Sequence, residues 1–120
     1  MNLVKQSFTA NHKLRKPSEF LLVFKSKKMY SGSFIKIHYN KCHNETECNN
    51  SRLGLIVSKR VHKRANKRNY MKRVLRELFR TNQIYWPSSY DIIIRVQKLF
   101  THNEFISLQQ EFLQLTKFAR

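Results

Sequence analysis

Acidic side chains are scarce in this sequence: seven Asp and Glu stand against 24 Lys and Arg in 120 residues. Of the seven (Glu19, Glu45, Glu47, Glu77, Asp91, Glu104 and Glu111), only Glu45 and Glu47 are close neighbours. A metal-dependent nuclease needs carboxylates converging on one or two divalent ions, and this inventory does not supply them. The five histidines, at 12, 38, 43, 62 and 102, fall in separate elements, and no Ser or Cys has the surroundings of a nucleophile. With two glycines there is no loop to cradle a phosphate. The two cysteines, Cys42 and Cys48, lie in the polar run "NKCHNETECNNS", whose spacing fits no zinc pattern even with His43 and His38 counted. They read as free thiols in a surface loop. No apolar run approaches membrane-spanning length, and "MNLVKQSFTANHKLRK" lacks a signal-peptide core, so the expected location is the cytoplasm. No catalytic residue and no metal ligand is expected from this chain.

What the sequence has is positive charge and aromatic rings. The formal net charge is +17, and the partner of such a field is a polyanion. Nucleic acid leads, because a membrane-surface helix needs a broad apolar face opposite its charge. A hydrophobic content of 41%, with nine Phe and five Tyr, is enough for a folded core, and 120 residues make one domain. Residues 1–16 read as a basic arm.

Pro17 opens "PSEFLLVFK", a short helix with Phe20 and Phe24 one turn apart on one face. "SFIKIHYN" alternates as a half-buried strand: Ser33, Ile35, Ile37 and Tyr39 point one way, Phe34, Lys36, His38 and Asn40 the other. "RLGLIVSK" is a second strand, with Leu53, Leu55 and Val57 on one face and a glycine, Gly54, that lets another group come close on the other. "WPSSY" marks a turn before "DIIIRV", a β-branched strand expected at the centre of the sheet. Thr101 to Glu104 fits a capping box, and the helix it opens carries Phe105, Leu108, Phe112 and Leu115 on one face. The order of elements predicts one α/β domain, an α+β two-layer sandwich of helix, strands, helix, strand and helix.

Between the second and third strands, residues 59–80 hold ten Lys or Arg and one Glu. The second half is amphipathic. Met71, Val74, Leu75 and Leu78 form a stripe for a sheet, and Asn69, Lys72, Arg73, Arg76 and Arg80 collect opposite it. Read as helix, the first half is basic on nearly every side, at the end where positive charge opposes the macrodipole. A solvated helix face does not account for that.

The stretch "RLGLIVSKRVHKRANKRNYMKRVLRELFR" resembles the signature of the bacterial ribonuclease P protein family. There a strand of the type R-x-G-L/F-x-V-S/A-K-K/R leads into a basic helix of the type A-x-x-R-N-R-x-K-R-x-x-R-E-x-F/Y. The matching residues are Arg52, Gly54, Leu55, Val57, Ser58, Lys59 and Arg60, then Ala65, Arg68, Asn69, Lys72, Arg73, Arg76, Glu77 and Phe79. Upstream, Leu14, Arg15, Glu19, Phe20, Val23 and Phe24 resemble the family's L-R/K-x-x-x-E/D-F-x-x-V-F/Y element.

The resemblance implies the protein subunit of a ribonucleoprotein that removes the 5′ leader from precursor tRNA. In that family the catalytic Mg2+ is held by the RNA subunit and the protein alone is inactive. The implied fold has a left-handed βαβ crossover, against the usual right-handed rule. The partners are the catalytic RNA and the precursor leader, with no obligatory protein partner and no membrane. Carried over by position, Lys59, Arg60, Arg64, Lys67, Arg68, Asn69, Lys72, Arg73 and Arg76 would bind the RNA subunit. Phe20, Phe24, Phe34, Lys36 and His38 would bind the leader, with rings to stack bases and charge to follow phosphates. Three residues depart from the family's pattern: Tyr70 in place of the second Arg of R-N-R, His38 where Tyr is frequent, and Arg95 where an apolar residue is usual. Another RNA-binding module, ribosomal or chaperone-like, and a DNA-binding architectural protein are the competing readings.

Overall fold

The structure, a computed structural model, describes residues 14, 16–41, 51–82 and 90–117. The loop holding Cys42 and Cys48, the turn before Tyr90, and the expected arm over 1–16, apart from Leu14 and Lys16, lie outside the described residues.

Helix α1 spans Pro17–Lys25. Pro17 fixes the backbone of its first turn, and the Glu19 carboxylate accepts the Lys16 backbone N–H at 3.0 Å. At its end Ser26 Oγ lies 2.6 Å from the Val23 carbonyl and 2.9 Å from that of Tyr39, tying the helix to the sheet. Lys27 then takes a φ of 58°, in the left-handed region, and reverses the chain into β1, Met29–Ser31. β1 was not expected from sequence: it is a three-residue strand exposed throughout.

Strands β2 (Ile35–Lys41), β3 (Arg52–Ile56) and β4 (Tyr90–Val96) complete a four-stranded sheet in the order β1-β2-β4-β3. β2 pairs antiparallel with both β1 and β4, whereas β3 and β4 run parallel across helix α2, Ala65–Asn82. The expected central position of "DIIIRV" holds. Ile92, Ile93 and Ile94 are all fully buried, because β4 is covered on both faces.

One face of the sheet packs Ile35, Ile37, Leu53, Ile92, Ile94 and Val96 against Met71, Leu75, Leu78 and Phe79 of α2 and Leu108 and Phe112 of α3, Phe105–Leu115. The expected capping box precedes α3. Glu104 accepts the Thr101 N–H at 3.0 Å and closes a 3-10 turn, His102–Glu104. Phe105 does not join the buried stripe. It is the first residue of α3 and stays 37% exposed. The other face carries a second, smaller apolar cluster of Leu14, Val23 and Ile93 with Phe20, Phe24 and Ile56.

The basic segment is not helical throughout. Residues 59–64 form a turn, with Val61 N–H donating to the Ser58 carbonyl at 3.1 Å, and the helix starts only at Ala65. Val61 is the only apolar side chain in 59–64, too little to anchor a helical turn on the sheet. The all-round charge expected at the start of a helix is therefore spread over a turn.

Candidate nucleic-acid interfaces

The first surface is the sheet face under α1. Alternation along β2 puts Lys36 and His38 there, and the register places Lys36 directly opposite Arg95 and His38 opposite Ile93. The Phe24 ring stands edge-on to His38, with centroids 4.9 Å apart, and the Arg95 guanidinium carbon lies 5.7 Å from its centroid. Phe20 lies over Gly54, so the close approach that glycine permits is made by a ring of the same chain. Both rings are half-buried, anchored on the second cluster yet open on one side.

Charge is unevenly divided on this face. At one end Arg52 donates to Asp91 through Nε and Nη2, both at 2.8 Å, and to Glu19 through Nη1 at 2.6 Å. That network holds two of the seven acids, and hydrogen bonding to Asp91 raises the Arg52 pKa further. At the other end stand Lys36 and Arg95, neither in an ion pair within the described residues. Burial, then Arg95 and Lys36, hold the His38 imidazole below its ordinary pKa. Its Nε2 is buried and has no hydrogen-bond partner among the described residues. His38 is thus a neutral ring at pH 7, flanked by two cations.

Phe34 does not join this face, contrary to the alternation read from sequence. Its ring packs with the opposite core, edge-to-face with Phe100 at 6.3 Å and beneath Lys98 Nζ at 5.1 Å. The cause is Glu111 of α3, whose carboxylate accepts the N–H groups of Ser33, Phe34 and Ile35, each at 2.8 Å. Three successive amides turned to one anion cannot keep a strand's pleat, and β2 begins only at Ile35. The structure unites Phe20, Phe24, Lys36 and His38 and adds Arg95. The sequence carried one signal for Arg95, the lone cation of β4, directly after three isoleucines.

The second surface runs along the turn and α2. Lys59, Arg60, Arg64, Lys67, Asn69, Arg73 and Arg76 are exposed, and Lys72 is half-buried. Helical spacing puts Asn69, Arg73 and Arg76 on the side opposite Met71, Leu75 and Leu78. Arg68 differs from the rest. Its Nη1 donates to the carbonyls of His62 at 2.9 Å and Lys63 at 2.7 Å, so it pins the turn onto the helix. Glu77 pairs with Arg80 at 2.7 Å. Tyr70 faces away from the row, half-buried against the core beside Leu99 and Phe100.

Both surfaces present cationic side chains: Lys36 and Arg95 on the first, and the exposed Lys and Arg of the turn and α2 on the second. Among the described residues no three His, Cys, Asp or Glu side chains come together as a metal site, and no helix is long and apolar enough to cross a membrane.

Comparison with known proteins gives one family. The sequence profile of the Ribonuclease P family matches residues 8–120. The ribonuclease P protein component of Azoarcus sp. is 34% identical over 110 residues, covering 92% of this chain and 88% of the relative. That of Thermotoga maritima is 32% identical over 116 residues, covering 93% and 95%. The solved Thermotoga maritima protein superposes with a TM-score of 0.74 at 29% identity, over 90% of this chain and 97% of that one. The Staphylococcus aureus protein, at 22% identity, shares the fold with a TM-score of 0.76, over 91% and 95%. With the fold and both basic surfaces in place, the chain belongs to the ribonuclease P protein component family.

Proposed function

We propose that this subunit of the tRNA-processing ribonucleoprotein divides its work between the two surfaces. The α1 face holds the 5′ leader of precursor tRNA as a single strand, and the turn with α2 holds the catalytic RNA. The observation that carries the first assignment is the placement of Lys36 opposite Arg95. Like charges at directly opposed sheet positions destabilise the sheet, so an anion that bridges them is favoured. Phe24 beside them offers a face to one base, and such stacking contributes about 1–3 kcal/mol per base. A duplex has no free base faces for this surface, which argues against the DNA-binding reading. For the second assignment, exposed Arg60, Arg64, Arg73 and Arg76 give phosphate contacts without needing any one base sequence.

Hydrolysis in this reading belongs to the RNA subunit and the Mg2+ bound there. The protein's own contribution is to hold the leader and neutralise phosphates. The work is done in the cytoplasm, where precursor tRNA is made. The test is reconstitution with a bacterial catalytic RNA at low Mg2+. Addition of the protein should restore release of the 5′ leader, and the protein without RNA should release none. Leader release by the protein alone would refute the reading.

A further inference from the structure

Between the first turns of α2 and the segment after β4 lies a cavity of about 390 Å3. Asn66, Lys67 and Tyr70 line it from the helix, and Leu99, Phe100 and His102 from the other side. It lies on the α2 side of the sheet, away from Phe24, and none of its walls belongs to the α1 face. Phe100 is buried and forms the floor, and Leu99, 40% exposed, forms a wall. Tyr70 is half-buried, packs against the core and also lines the cavity. The rim is of another kind: the exposed side chains of Asn66, Lys67 and His102 supply an amide, an ammonium and an imidazole.

A flat aromatic wall over an apolar floor suits a planar ring, and a cationic rim suits a phosphate attached to it. Asn66 adds a donor and an acceptor together, the pair that reads a base edge. The volume is near the lower end for small-molecule sites, enough for one nucleotide and too small for a helix. Lys67 belongs both to this rim and to the exposed basic residues of α2. We infer that the cavity takes up one unstacked nucleotide of the RNA lying along α2, its base against Tyr70 and its phosphate at Lys67. The inference rests on the reading that α2 binds the catalytic RNA. At residue 70 a stacking ring then takes over from the phosphate-binding Arg of the family motif.

The experiment measures the affinity of the full chain for the catalytic RNA across a salt series, for Tyr70→Ala, Tyr70→Phe, Leu99→Ser and Arg73→Ala. Stacking releases no counterions. Tyr70→Ala should therefore weaken binding about 10-fold, in the range of a lost base–aromatic contact, with the salt slope unchanged. Tyr70→Phe should bind as the wild type does, and Leu99→Ser, an exposed position, should weaken binding without loss of fold. Arg73→Ala should flatten the slope by about one. In the free protein, adenosine or uridine 5′-monophosphate should move amide resonances of residues 66–70 and 99–102, and ribose 5-phosphate should not. If Tyr70→Ala and Leu99→Ser bind normally while Arg73→Ala is impaired, the cavity assignment is overturned and the α2 interface stands. If Arg73→Ala also binds normally with an unchanged slope, both are overturned.

Discussion

The ring of Phe20 occupies the space that a side chain at Gly54 would need. A Cβ at residue 54 would stand 2.6 Å from Phe20 Cζ and 2.9 Å from Cε2. Glycine in β3 therefore sets how closely α1 approaches the sheet, and with it the depth of the surface on which Phe24, Lys36, His38 and Arg95 meet.

Gly54→Ala should force Phe20 outward and lower stability by about 1–3 kcal/mol, the usual cost of overpacking. Precursor tRNA binding should weaken with it. In urea unfolding, the double variant with Phe20→Ala should lose less than the sum of the two single changes, because the second removes the clash made by the first.

Glu111 is the corresponding tie on the other side of the sheet. Replacing it with Ala leaves the amides of Ser33, Phe34 and Ile35 without their shared acceptor. Charge-assisted bonds are the stronger kind, and we expect a loss of about 2–4 kcal/mol, discounted because water reaches the Ser33 amide. Glu111→Gln keeps one carbonyl oxygen and should lose less. Equal unfolding midpoints for wild type and Glu111→Ala would contradict this role.

The arginines of the basic segment should not behave alike. Arg73→Ala removes a phosphate contact and should flatten the salt dependence of RNA-subunit binding by about one unit. Arg68→Ala instead frees the carbonyls of His62 and Lys63, so it should loosen the 59–64 turn. Amide exchange of residues 59–64 should speed up in Arg68→Ala and stay unchanged in Arg73→Ala.

His38 makes stability depend on pH. Its pKa in the folded state lies below the ordinary value of 6.5. Between those two values the unfolded chain binds more protons than the folded one, so stability falls as pH drops below about 6.5 and levels off below the folded pKa. Well above 6.5 the imidazole is neutral in both states and contributes no slope. His38→Phe should remove this part of the slope in unfolding measured from pH 7.5 to 5.

Much of this arrangement was legible in the sequence, for local reasons. Pro17, the Thr101–Glu104 box, the Met71–Leu78 stripe and the triple isoleucine of β4 each report their own surroundings, and the structure agrees with them. What was not legible depends on distant partners. Met29–Ser31 is a strand only because β2 offers it an edge. Phe34 leaves the Lys36 face because of a carboxylate 77 residues away. Arg68 reads as an RNA ligand until the turn before it closes back onto its guanidinium, and nothing local to Arg52 announces that Asp91 and Glu19 fold onto it. A cation's type is written in the sequence, but its occupancy by the protein's own oxygens is set by the fold.

The division of labour between the surfaces is tested most directly by Phe24→Ala in the reconstituted holoenzyme, with affinities measured for precursor and mature tRNA side by side. Mature tRNA has no leader. Assembly with the RNA subunit should be normal, precursor binding should weaken by about 1–3 kcal/mol, and mature tRNA binding should be unchanged. Equal weakening for both tRNAs, or a variant that no longer folds, would make Phe24 a core residue and contradict the assignment of the leader to this face.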